Sequence, residues 1–313
     1  MKLIYQSRAM LSVIELTRRF ARTGATVLIS GESGTGKELI AHLLHAESPR
    51  SEEPYVRVNC AAFAESLVES ELFGHEAGSF TGAVARRQGK FETAGRGTLF
   101  LDEISEVSAP IQSKLLRVLE EAEFERVGGN DRQSVQARVI AATNRPLQEL
   151  VREGFFRADL FYRLDVLRIE VPPLRERPED IPPLAQHFVE RFQADSPKRV
   201  RGFTAAALRA LSQYDWPGNV RQLRNLIHRA CIVAPKELVD ESDLPRLEVA
   251  PPTADGPTLE FEKLSLAEIE RRVILDRLRR CQGNKSMAAA ALGVTARTLR
   301  NKINEYRRLD FAA

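Results

Sequence analysis

Residues 25–38 read ATVLISGESGTGKE, an apolar run that breaks into a glycine-rich turn and then meets a lysine at the start of a helix-period segment. The run 25–30 is a strand in this reading, and the turn is Gly31, Glu32, Ser33, Gly34, Thr35 and Gly36, followed by Lys37 and Glu38. Glycines let backbone N–H groups converge on phosphate oxygens, a helix start adds partial positive charge, and a lysine reaches the outer phosphates. A strand before and a helix after turn this pattern into an expected ATP site. Most such loops carry a Ser or Thr ligand for magnesium where Glu38 stands. A carboxylate cannot be assumed to replace that hydroxyl.

Further apolar runs recur at 55–59, 98–102, 138–142 and 166–171, separated by turns and helical stretches such as 109–120. Continuous rather than alternating apolar residues fit strands covered on both faces, so the expected fold is an α/β, mostly parallel sheet flanked by helices. The run 98–102 ends in Asp102 and Glu103. Beside a phosphate loop, Asp102 is placed to hold Mg2+ and Glu103 to polarise a water for attack on the γ-phosphate. Thr143 and Asn144 end the next strand, where an amide can orient the same water.

After Pro172 and Pro173 the strand signals stop, and helices are expected over 181–196, 204–214 and 219–233, with Trp216-Pro217-Gly218 as a breaker. This reads as a small all-helical subdomain. Residues 249–258, VAPPTADGPT, have the composition of a linker. The expected divisions are 1–175 for the α/β ATPase subdomain, 176–248 for a helical lid, 249–262 for a linker and 263–313 for a third unit.

Bulk properties restrict the class. The 313 residues are 43% hydrophobic and 28% charged, a globular balance. No apolar run approaches the roughly 20 residues of a membrane span and no signal peptide is evident, so the expectation is a cytoplasmic protein without a membrane partner. Cys60, Cys231 and Cys281 are too scattered for a disulfide framework or a local metal motif, and buried thiols are expected. The net charge of +3 divides unevenly: residues 259–313 hold 12 Lys or Arg against 7 Asp or Glu, and the remainder is slightly acidic. A basic excess confined to the tail points to nucleic acid, although a solvated basic face has the same composition.

The ordered stretches GESGTGKE at Gly31, ESELFGHE at Glu69, GSFTGA at Gly78, GTLFLDE at Gly97, FRADLFYRL at Phe156 and WPGNVRQLRN at Trp216 resemble the sigma-54-dependent enhancer-binding activators of bacteria, a branch of the AAA+ ATPases. Glu is usual in that family where Glu38 stands. The resemblance implies that Asn59 holds Glu103 in a nucleotide-dependent switch, that Arg157 and Arg163 reach the neighbouring subunit's γ-phosphate, and that Arg221 senses nucleotide from the lid. It implies a head-to-tail homo-oligomer, a hexameric ring. Read alone, Arg157 and Arg163 are surface salt-bridge partners. In relatives the loop at Gly78 touches the sigma factor, which implies contacts from Phe80 and Thr81; Ser79 departs from the family's alanine. On sequence alone Phe80 fits either an apolar contact tip or a tight turn with its ring in the core.

In the tail, Leu266, Ile269, Val273 and Leu278 share a helical face, a second helix is expected over 285–292, and Gly293-Val294 turns into a third helix capped by Thr295. This resembles the Fis-type helix-turn-helix, which implies double-stranded DNA as partner. With Leu299 and Ile303 facing inward, Thr295, Arg297, Thr298, Arg300, Asn301 and Lys302 are the candidate DNA-facing residues. The whole then implies an activator that spends ATP on opening a promoter complex of sigma-54 RNA polymerase. A DNA-binding regulator or repressor whose ATP only sets its oligomeric state is the other reading. Met1 precedes the first strand by only about two dozen residues, which leaves no room in this sequence for a sensor domain, so either a separate protein provides control or this chain is a fragment of a longer one.

Overall fold

The computed structural model describes residues 3–62, 65–80, 83, 85–193, 200–233 and 237–244, with Glu270, Arg271, Ile274, Ala289, Thr298, Leu299 and Lys302 in the tail. The chain forms two compact units, Met1–Leu247 and Glu248–Ala313.

The first unit opens with helix α1 (Arg8–Ala21), capped by the Ser7 hydroxyl, which accepts from the Met10 N–H. Then follow β1 (Val27–Ser30), α2 (Lys37–Ala46), β2 (Tyr55–Asn59), α3 (Glu65–Phe73), β3 (Gly74–His75), β4 (Arg87–Gln88), α4 (Lys90–Ala94) and β5 (Thr98–Asp102). Next come α5 (Ala109–Glu121), β6 (Glu123–Glu125), β7 (Arg132–Ser134), β8 (Arg138–Thr143), α6 (Leu147–Arg152), α7 (Ala158–Leu164) and β9 (Leu167–Glu170). Five strands make one sheet in the order β2-β5-β8-β1-β9, every pair parallel. The five strands expected from the apolar runs are these five.

Period-two alternation divides their side chains between two cores. Leu28, Leu99, Leu101, Val139 and Ala141 pack on the side of α5 and α7, where Ile111, Leu115 and Leu160 meet them. Val27, Ile29, Phe100, Ile140 and Ala142 pack on the other, with Ile14 of α1 and Ile40 and Leu44 of α2. Both faces being covered is why the central strands read as unbroken apolar runs. Arg138, only 2% exposed, donates to the carbonyls of Phe20, Ala21 and Ala25, satisfying groups at and beyond the end of α1. Burial pushes its guanidinium down to about 10.

Beyond the sheet lie α8 (Ile181–Gln193), β10 (Gly202–Phe203), α9 (Ala205–Gln213), α10 (Asn219–Val233) and β11 (Leu238–Val239). Thr204 caps α9 through its hydroxyl, as the sequence suggests. The lid is not all-helical, however: β10 and β11 pair in parallel, Gly202 with Leu238 and Phe203 with Val239. Two-residue strands carry no periodicity, and this pair forms only because the lid core brings its two ends together. Strands of two and three residues likewise hid the pairs β3-β4 and β6-β7.

The lid core centres on Trp216, which is fully buried, donates from Nε1 to the Leu211 carbonyl at 2.8 Å and meets Tyr214 edge to face. Trp216→Ala is expected to cost about 3–5 kcal/mol, read as a lower urea midpoint for the nucleotide-free protein. Cys60 and Cys231 are buried free thiols, and burial pushes Cys60 up to about 12. Cys281 and the expected linker 249–262 lie outside the described residues. Among the described residues no helix is long and apolar enough to cross a membrane.

Candidate active site

Parallel strands present their carboxyl ends along one edge of the sheet, and the register there aligns Asn59 with Asp102 and Ser30 with Thr143. The loop from Gly31 to Gly36 leaves β1 at that edge and runs into α2 at Lys37. A cleft of about 560 Å³ lies over it, lined by the loop, Asp102, Glu103, Arg177, Arg221 and apolar lid residues that include Leu184 and Phe188. At Gly31 an added Cβ would stand 2.7 Å from the Val171 carbonyl oxygen, and at Gly34, with φ +80°, 2.5 Å from that of Gly218. Only glycine lets β9's exit and the lid approach the loop so closely.

Lys37 is buried, and its Nζ donates to the carbonyls of Gly31 at 2.8 Å and Glu32 at 3.3 Å. Burial lowers its pKa, while Glu103 and Asp102 oppose that shift. The Thr35 hydroxyl closes the loop on the Glu32 carbonyl at 2.8 Å. Glu38 lines the cleft in the first turn of α2, and its carboxylate pairs with Arg57 of β2.

Asp102 accepts from the Glu103 N–H through Oδ1 at 3.1 Å. Glu103 turns the chain in a left-handed conformation, φ 54° and ψ 51°, which is unusual for a residue with a side chain and is found where a site demands it. Its Oε2 is buried with no hydrogen-bond partner. Burial raises its pKa, Lys37 and the Asn144 backbone N–H lower it, and Asp102 raises it. Asn144 is thus beside Glu103 through its backbone, whereas its side chain is exposed. Asn59 lies next to Asp102 in register, but its Oδ1 accepts from the Ala61 N–H and no hydrogen bond joins its side chain to Glu103.

Arg221, two residues into α10, donates to the Ser33 hydroxyl at 2.9 Å. Arg157 and Arg163 do not line this cleft. Arg157 forks onto Asp159 at 3.0 and 2.7 Å, and Arg163 donates twice to the Leu119 carbonyl at 2.9 and 2.8 Å. Both are exposed, as are the rings of Phe155 and Tyr162 close by in sequence.

Several residues that shape the cleft escape sequence reasoning. Arg175 forks onto Glu32, Arg177 donates to the Thr35 carbonyl, and Asn219 donates to Glu32 and to the Ser33 carbonyl. Arg177 also faces the fully buried Asp180, which accepts from Ser7. LRERPED at 174–180 shows only a charge cluster, and which of its charges turn inward is decided by tertiary packing.

Away from the cleft lining, Phe80 is 39% exposed and stands edge-on to His75 with ring centroids 5.0 Å apart. Neither sequence alternative is met in full, since the ring is half-seated. Arg126, after β6, is 4% exposed and clamps Glu76 and Glu92, fastening this loop to α4. Thr81 lies outside the described residues. So do Thr295, Arg297, Arg300 and Asn301 in the tail. There Leu299 and Ala289 are buried, Thr298 is exposed, and Lys302 pairs with Glu270 at 2.8 Å.

The profile of the sigma-54 interaction domain matches residues 3–170. The chain belongs to that family. The AAA+ ATPase lid domain matches 175–257, and the Fis family of bacterial regulatory proteins matches 265–306. The transcriptional regulatory protein ZraR of Klebsiella oxytoca is 51% identical over 95% of this chain and 66% of its own length. The regulatory protein AtoC of Escherichia coli is 45% identical over 97% of this chain and 67% of its own. This chain therefore spans about two thirds of such relatives. The crystal structure of NtrX from Brucella abortus in complex with ATP superposes with a TM-score of 0.73 at 35% identity, covering 97% of this chain and 69% of that one. A family member with an AAA+ fold, a lid and a Fis-type DNA-binding domain is what these matches describe.

Proposed function

We propose that this protein is an ATP-hydrolysing transcription activator that binds upstream DNA through its tail and remodels the sigma-54 RNA polymerase promoter complex. The observation that carries the reading is the convergence of Lys37, Asp102 and Glu103 in one cleft under the lid. Backbone N–H groups of the loop and Lys37 hold the β- and γ-phosphates, and Arg221 exchanges the Ser33 hydroxyl for phosphate oxygen. Glu103 accepts a proton from the attacking water; its unpartnered Oε2 leaves that oxygen free to do so. Asn144 orients the water, and Asn59, whose Oδ1 here accepts from the Ala61 N–H, exchanges that partner for Glu103 in a nucleotide-dependent switch.

The donor set suits Mg2+. Asp102 offers a hard carboxylate oxygen at the strand end, whereas Glu38 is already compensated by Arg57. Asp102 would hold the ion, which when bound draws charge from the phosphate oxygens. Arg157 and Arg163, outside their own cleft, serve the cleft of the next copy, so the working form is a closed homo-oligomeric ring, a hexamer by family likeness. ATP cycles then drive the Phe80–Thr81 loop against the sigma factor.

The test is ATP-dependent opening of a sigma-54 promoter bearing the cognate upstream site. Opening that requires hydrolysable ATP is expected. ATP turnover and DNA binding without opening of any promoter would instead leave a regulator whose nucleotide only sets its assembly. In the tail, Thr295, Arg297, Thr298, Arg300, Asn301 and Lys302 supply the DNA contacts. Arg300→Ala is expected to abolish specific gel-shift binding while ATPase activity stays at the wild-type level; an unchanged shift refutes that placement.

A further inference from the structure

Asn219 is fully buried and stands at the first position of α10 with φ +49°, a left-handed conformation that costs a residue with a side chain of the order of 1–3 kcal/mol. Three contacts hold it there. Its Oδ1 accepts from the Leu174 N–H at 2.7 Å, and its Nδ2 donates to Glu32 Oε2 at 3.0 Å and to the Ser33 carbonyl at 3.1 Å. One amide thus joins the segment leaving the sheet, the phosphate loop and the first turn of the lid helix. Glu32 completes the arrangement by accepting the fork of Arg175 at 3.0 and 2.7 Å. The Arg175 fork, with Asn219, holds the Glu32 carboxyl below the usual carboxylate range against the opposing effect of burial. Backbone adds to this junction, because the Val220 N–H donates to the Gly34 carbonyl at 3.1 Å.

Arg221 follows two residues later. We infer that Asn219 and Glu32 form a lid tether: they are positioning residues that set the first turn of α10 on the phosphate loop, and through it the reach of Arg221 to bound nucleotide. Glu32 then acts on the lid rather than on phosphate. Its chemistry supports this, since a carboxylate repels a triphosphate and both of its oxygens already accept from Arg175 or Asn219. The tether builds on the nucleotide site proposed above.

Charge gives the test a sign. Were Glu32 a bystander, removing its negative charge beside the phosphate site would tighten ATP binding. The tether predicts the reverse. Glu32 is 40% exposed on a loop, so Glu32→Ala keeps the fold. It is expected to weaken binding of a fluorescent N-methylanthraniloyl ATP roughly ten- to a hundredfold, the worth of a charge-assisted contact made by Arg221. Asn219→Gly, whose glycine accepts φ +49° without strain, is expected to do the same. Because both act through Arg221, neither is expected to add to the loss caused by Arg221→Ala, whereas independent sites would add.

Equal or tighter binding by Glu32→Ala overturns the tether, as does full additivity with Arg221→Ala. Thermal unfolding without nucleotide separates this from simple destabilisation: Glu32→Ala is expected to melt with the wild type, and a binding loss that tracks a lowered melting temperature overturns the tether. Wild-type protein that binds the analogue but never hydrolyses ATP refutes the proposed activity and leaves the tether standing.

Discussion

Arg163→Ala is expected to bind ATP normally and to turn it over about 10³- to 10⁵-fold more slowly, the usual worth of an arginine supplied to a γ-phosphate by a neighbouring subunit. The structure supplies a reason to place this residue above Arg157. Arg157 spends its fork on Asp159, and that carboxylate already balances its charge. Arg163 leans on a neutral carbonyl, that of Leu119, and among the described residues no carboxylate lies within ion-pair distance. A guanidinium held in position without a counter-charge loses little when it is redirected to phosphate. Arg157→Ala is therefore expected to slow turnover less. Near-wild-type hydrolysis by Arg163→Ala protein, with its assembly verified by light scattering, would remove the residue from catalysis.

Glu103→Gln is expected to retain ATP binding and lose about 10²- to 10⁴-fold in turnover, the range a positioned general base contributes. Because burial raises the Glu103 pKa in the folded state, the contribution of this group to stability is fully present below its unfolded-state pKa. It is lost as pH rises through the raised folded value. Above that folded value the ionised carboxylate destabilises the fold, and there the glutamine variant should melt at a higher temperature than the wild type. Activity runs the other way, since a base must be ionised to act. Wild-type turnover should fall on acidification at a pH above that of an ordinary carboxylate. A Glu103→Gln protein that is both less stable and still active would contradict both arguments.

The sheet was legible because its chemistry is local. Central strands covered on both faces must be apolar throughout, so Thr98–Asp102 and Arg138–Thr143 announce themselves. The loop at Gly31 was legible for the opposite reason, since close backbone approach excludes side chains and leaves glycines behind. What escaped depends on partners far away in sequence. Asn219 reads as part of an ordinary helix start, and its importance comes from Glu32, 187 residues earlier. Asp180 stands in a cluster of charges at 174–180, yet it is fully buried against Ser7. The same holds for β10 and β11, whose pairing exists only once α9 and α10 have packed.

That the exposed Arg163 stands outside the cleft of its own chain has a genetic corollary. In the proposed ring, a chain with Lys37→Ala would lack a working cleft but keep its finger, and a chain with Arg163→Ala would have the reverse defect. Each alone is expected to assemble without turning ATP over. Mixed in equal amounts before assembly, they create junctions in which a sound cleft meets a sound finger, about a quarter of the total for random placement in a head-to-tail ring. Two inactive proteins should therefore regain activity together, and the fraction regained reports how many neighbouring pairs must be intact for one ring to turn over.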